Sequence, residues 1–260
     1  MLDFIMSFQY EPFSDTDSDS DIDTDTNKKE DSDIIPIAEI VKNMPVPFAI
    51  SVASKRNTGK TVLSKHLIYE LMKQKRINSL ILLSNTADFN SDYDYIPKKY
   101  RHTFSNELLI KIIDGQKKAV LKLKKKTPQV LLLLDDVLGY SKDSSGSHSS
   151  IILSMYATAR HYNLSIILLS QIANHVLSPP IKNNSDFILF SRLNRQQLAI
   201  LWEAMTNIDK KDFINLAESR NKDFKFLLYD NTTHETDPNK FIKMIKADPN
   251  INFNLTQPKK

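Results

Sequence analysis

Short aliphatic runs recur along this chain, and the stretches between them return apolar residues every three or four positions. Residues 48–53, 79–83, 129–134, 164–169 and 186–190 have strand length and are largely apolar. Such runs belong to strands covered on both faces, because a half-solvated strand alternates apolar with polar positions. Residues 224–229 are expected to add a sixth strand. Residues 60–75, 106–126, 149–161 and 196–205 carry apolar positions at helical spacing, so each is expected to bury one stripe. This alternation predicts an α/β fold, a mainly parallel sheet flanked by helices.

The pattern fails at both ends. Residues 14–33 alternate Asp with Ser or Thr and hold almost no apolar side chain, too little to offset the entropy of ordering. The chain is therefore expected to divide into a disordered acidic tail (1–33), one folded domain (34–230) and a peripheral C-terminal segment (231–260) interrupted by Pro238, Pro249 and Pro258. No apolar run reaches the roughly 20 residues that cross a bilayer, and no signal peptide is expected.

Charge is distributed unevenly. Residues 1–33 carry eleven acidic side chains against Lys28 and Lys29, which leaves 33 basic and 20 acidic residues, or +13, in the remainder. A surface of that sign suits a phosphate backbone, and it also suits simple solvation. The acidic tail correspondingly reads either as a solubilising segment or as a mimic that occupies the basic surface. Lys117, Lys118, Lys122 and Lys124 to Lys126 cluster at one helix end, as a phosphate contact or a solvated face. The chain has no cysteine, which excludes disulfides and zinc-thiolate sites.

Directly after the first expected strand comes Ser54-Lys55-Arg56-Asn57-Thr58-Gly59-Lys60-Thr61. It satisfies the phosphate-loop pattern G-x-x-x-x-G-K-[ST] except that Ser54 stands at the first glycine. Backbone N–H groups from Asn57 through Thr58 and Gly59 to Thr61 are expected to cradle phosphates at a helix N-terminus, with Lys60 on the β and γ phosphates and Thr61 on magnesium. Downstream, Val130 to Leu134 runs into Asp135-Asp136, so both carboxylates emerge at the carboxyl end of a strand. Asp135 is the expected magnesium ligand and Asp136 the base that orients and deprotonates water. Gln171 ends the next strand, where an amide can report a γ-phosphate. Arg160, just before that strand, is the preferred candidate to stabilise charge in a neighbouring subunit's site, with Arg192 and Arg195 as competitors. Residues 140–150, rich in Ser with Gly146, are expected to form a mobile loop, which in a ring could face a pore.

These segments, with Leu83 to Pro97 after the second strand, Thr158-Ala159-Arg160-His161 and Ser170-Gln171, resemble the genome-packaging ATPases of poxvirus-like (nucleocytoplasmic) large DNA viruses, a branch of the FtsK/HerA group of P-loop NTPases. The likeness covers roughly residues 45–205. It implies a RecA-like core, ATP and Mg2+ as ligands, self-association into a hexamer-like ring, and ATP-driven movement of double-stranded DNA into a capsid. It also implies capsid or membrane-vertex partners and a place in the virus factory of the host cytoplasm and in the virion. Two other readings remain open on the residues alone. One is a nucleotide-binding regulatory or scaffold protein with little hydrolysis, which Ser54 favours and the intact Asp135, Asp136 and Gln171 oppose. The other is a P-loop nucleotide kinase, for which no arginine-rich lid is evident.

Overall fold

The computed structural model describes residues 9–12, 34–89, 91–137, 150–205, 208–219, 224–235 and 237–256. In chain order the elements are β1 (Gln9–Pro12), α1 (Ile37–Asn43), β2 (Ala49–Ser54), α2 (Lys60–Lys73), β3 (Ser79–Ser84), β4 (Arg101–His102), α3 (Asn106–Leu123) and β5 (Val130–Asp135). There follow α4 (Ser150–Thr158), β6 (Leu164–Ser170), α5 (Ala173–Val176), α6 (Pro179–Asn184), β7 (Phe187–Ser191), α7 (Arg195–Met205) and α8 (Lys210–Ser219). The last elements are β8 (Lys225–Asp230), α9 (Pro238–Phe241), β9 (Ile242–Lys246) and β10 (Phe253–Thr256).

Eight strands make one sheet in the order β4-β3-β5-β6-β2-β7-β8-β9. The strands from β4 to β7 are parallel, and β8 pairs antiparallel with both β7 and β9. Successive side chains of a strand point to opposite faces. Leu80, Leu82, Leu131, Leu133, Ile167 and Leu169 therefore pack on one face with α1 and α2. Ile81, Leu83, Leu132, Leu134, Ile166 and Leu168 pack on the other with α3 and α4. Each strand must be apolar at every position because helices cover both faces, which explains the unbroken runs in the sequence. A third cluster joins Ile188, Phe190 and Leu227 to α7 and α8 through Leu198, Leu201 and Phe213.

All six expected strands and all four expected helices are present. The expected helix over 106–126 stops as an α-helix at Leu123 and finishes in a 3-10 turn, Lys124–Lys126. Ser105 caps its start, accepting a hydrogen bond from the Leu108 N–H at 3.1 Å.

Two terminal segments differ from expectation. Residues after 230 do not stay peripheral, because β9 extends the main sheet and Phe253 and Leu255 of β10 enter the core. The prolines bracket rather than interrupt these strands: Pro238 begins α9, and Pro249 lies in the turn between β9 and β10. Gln9–Pro12, inside the expected tail, pairs antiparallel with β10. The sequence there holds Phe8, Tyr10 and Phe13, unlike the acidic run that follows. The expected disorder of residues 14–33 and the expected loop over residues 140–149 fall outside the described residues. Among the described residues no helix is long and apolar enough to cross a membrane.

A candidate nucleotide-binding site

The register of the parallel strands brings the polar strand ends together. Ser84 on β3 lies beside Asp135 on β5, Asp135 beside Leu169 on β6, and Ala53 on β2 beside Ser170. The residues that follow β2, β5 and β6 therefore converge over one carboxyl edge of the sheet, the edge where open α/β folds bind ligands.

The loop from β2 into α2 is compact. Asn57 and Gly59 take left-handed backbone conformations, with φ of 58° and 95°. Ser54 has no positive φ, so the residue in the place of the expected glycine is under no left-handed strain. Its hydroxyl, fully buried, accepts a hydrogen bond at 2.7 Å from Thr58, whose Oγ1 also lies 2.7 Å from the Lys55 carbonyl. Ser54 thus braces the loop where glycine would only permit its turn.

Lys60 reaches back over the loop, its Nζ donating to the carbonyls of Ser54 and Lys55, each at 2.9 Å. Burial lowers its pKa below the usual lysine value, opposed by the negative charges of Asp135 and Asp136. Burial likewise raises Asp135, and Asp136 adds to the rise while Tyr93 and Lys60 counter it. A ligand that carries phosphate oxygens toward Lys60 and a cation toward Asp135 relieves both penalties.

Asp136 stands at φ 54°, directly past the end of β5, and its backbone N–H donates to the Leu169 carbonyl at 3.1 Å. The Gln171 amide donates to Asp136 Oδ2 at 2.9 Å. The two expected water-handling groups are therefore in direct contact. The left-handed backbone at Asp136 is of the kind that clusters at functional sites.

Sequence reasoning missed Tyr93. It is 1% exposed, and its hydroxyl lies beside the Asp135 carboxylate and near Thr61, in a contact without the geometry of a formed hydrogen bond. Burial first, and then the charge of Asp135, hold the phenol well above its ordinary pKa, so it remains a neutral donor facing that carboxylate. The Tyr-Asp-Tyr run after the second strand was its only signal.

Arg160 is not part of this cluster. It sits in the turn before β6, at the opposite end of the strands, where it donates to the Asn184 carbonyl at 2.7 Å and pairs with Asp186 at 3.2 Å. Asp186 in turn accepts from the Ala49 N–H at 2.7 Å. Arg195 is bound to Glu218 at 2.7 Å. Arg192 is exposed at φ 49° directly after β7, on the same edge as the loop.

A strand-loop-helix with a lysine over the loop, a carboxylate-ended strand and a strand between them define a P-loop ATPase on a mostly parallel sheet. The chain belongs to the poxvirus A32 protein family, whose profile matches residues 40–254. No curated protein is significantly similar to it in sequence. Among solved structures, the fold is similar to B204, the DNA-packaging ATPase of Sulfolobus turreted icosahedral virus. That match has 20% identity and a TM-score of 0.57, covering 79% of this chain and 100% of that one. The genome-packaging NTPase B204 of Sulfolobus turreted icosahedral virus 2, bound to ATP-gammaS, matches at 20% identity and TM-score 0.56, over 78% and 98% of the two chains. The pCW3 conjugation coupling protein TcpA with ATPgS matches at 13% identity and TM-score 0.54, over 78% and 60%.

Proposed function

We propose that this chain hydrolyses ATP to drive double-stranded viral DNA into a capsid. The observation that carries the reading is the convergence of Lys60, Asp135, Asp136 and Gln171 on one sheet edge, with Lys60 opening α2 after the loop from β2 and Asp136 directly following β5. The family and the two B204 packaging enzymes supply the biological direction.

In this reading the N–H groups of Asn57 to Thr61 hold the phosphates at the start of α2, with Ser54 bracing the loop. Lys60 exchanges its two carbonyl partners for phosphate oxygens. The donor set fits magnesium, which takes few protein oxygens and several from phosphate and water. Thr61 and Asp135 would hold the ion, which would neutralise negative charge on the phosphates. Asp136 accepts the proton of the attacking water, and Gln171, already bonded to Asp136, orients that carboxylate and the water. Tyr93 steadies Asp135 from below.

Arg160, at the far edge, is bound to Asn184 and Asp186 of its own chain and could meet a phosphate only in a neighbouring subunit's site, the role assigned to it in a hexamer-like ring. The exposed Lys124 to Lys126 turn lies at that same far edge, available to a phosphate backbone. We place the protein in the virus factory and virion, with capsid or membrane-vertex proteins as docking partners.

The test is Mg2+-dependent ATP hydrolysis by the parent chain, Lys60→Ala and Asp136→Asn. The reading expects Lys60→Ala to lose ATP binding, and Asp136→Asn to keep binding while turnover falls by a factor of about a hundred or more. Turnover in Asp136→Asn equal to the parent would remove Asp136 from the mechanism, and a parent that never hydrolyses ATP would end the motor reading.

A further inference from the structure

The reacting groups all lie on one side of the phosphate loop. Asp135 ends β5, Asp136 directly follows it and Gln171 follows β6, while β7 and β8 lie on the other side of β2. A nucleotide whose terminal phosphate faces those groups leaves its ribose and base the ends of β7 and β8.

One side chain occupies that place. Phe224 immediately precedes β8, which runs antiparallel, so the residue sits at the same edge as the loop. Its ring lies against Gly59, such that a methyl group built on the Gly59 Cα would stand 2.5 Å from Phe224 Cδ1 and 3.2 Å from Cε1. It is 37% exposed, and its backbone has φ of 61°, a conformation bulky residues avoid. The backbone is fixed there, since the Phe224 carbonyl accepts from the Ala247 N–H at 2.9 Å and the next carbonyl accepts from Ser191 Oγ at 2.9 Å. Strain maintained around an exposed aromatic next to a ligand loop marks a functional position. Among the described residues Phe89, also exposed, follows β3 on the carboxylate side of the loop, away from the ends of β7 and β8.

We infer that Phe224 is the platform on which the base of the bound nucleotide stacks, making the β7–β8 side of the loop a purine subsite. This rests on the nucleotide-binding reading above. An aromatic ring stacks on any base, and the larger purine face gains most.

Equilibrium binding of ATP, CTP and inorganic tripolyphosphate to the full chain separates the possibilities. Phe224→Ala is expected to weaken ATP about tenfold or more, to weaken CTP less, and to leave tripolyphosphate as in the parent, while Phe224→Trp restores ATP. Retained tripolyphosphate binding also certifies that the loop remains folded. ATP affinity unchanged in Phe224→Ala overturns the platform, and so does an equal loss of ATP and tripolyphosphate, which would assign the ring to bracing the loop. A parent chain that binds none of the three overturns the nucleotide-binding reading itself, and the platform with it.

Discussion

At Gly59 the backbone turns into α2 with φ of 95°, and the space where a side chain would begin is filled by the Phe224 ring. Alanine there meets a strained conformation and a clash together. At Ser54 neither constraint exists, and the side chain adds a buried hydrogen bond of the kind worth about 1 kcal/mol. The two positions should therefore respond in opposite ways. Gly59→Ala is expected to lose ATP binding, whereas Ser54→Gly retains it and lowers thermal stability by no more than a few degrees. Binding isotherms and a melting curve for each variant check this; ATP lost in Ser54→Gly with the fold intact would contradict the bracing role. The loop was legible in the sequence because a phosphate cradle needs few residues in fixed order. The Thr58 bond that lets Ser54 replace glycine was not, since it depends on a loop conformation that the pattern does not specify. Tyr93 and Phe224 were hidden for a related reason, because tertiary packing, not local order, carries them to the site.

Among the elements, the segment before β10 is hydrogen-bonded to α2 through an imidazole. His66 Nδ1 accepts a hydrogen bond from the Asp248 N–H at 3.1 Å, which requires that nitrogen to be unprotonated. Burial lowers the His66 pKa, and Lys73 lowers it further, against the opposing pull of Glu70 and Asp248. With the folded value depressed, the unfolded chain takes up this proton first as pH falls. The contribution of the tie is thus complete above the ordinary imidazole value of 6.5 and is lost as pH drops from there through the folded value. The protection of residues 248–256 against hydrogen exchange, taken relative to the intrinsic rate at each pH, is expected to fall between pH 7.5 and pH 5.5, roughly the window of histidine titration, and to fall more than that of β5. Equal behaviour of the two segments, or the same loss of protection on acidification in His66→Ala, would discount the imidazole. β9 and β10 themselves escaped the sequence reading because prolines and scattered lysines mask short strands. The partner of β10, β1, lies at the far end of the chain beside the acidic run. The six strands that were legible owe it to burial on both faces, which writes itself into the chain as continuous apolar runs.

For the whole molecule, a site at one sheet edge and basic residues at the other suit a subunit that reads nucleotide on one side and presents charge elsewhere. Beyond the acidic first 33 residues the chain carries +13, and a backbone of phosphates is the partner such a surface favours. The fold class followed from the sequence, and the residues read there as candidate reacting groups, Lys60, Asp135, Asp136 and Gln171, lie at one sheet edge. Assembly did not, because a surface arginine such as Arg160 has the same local pattern whether it faces solvent or a neighbour's phosphate. The most direct measurement is steady-state ATP hydrolysis by the full chain with and without duplex DNA, at low and at raised salt. The account predicts that duplex DNA raises turnover, that the increase fades as salt screens the phosphate contacts, and that Asp136→Asn abolishes it. Turnover indifferent to DNA at low salt would contradict the motor and leave an ATPase with another task.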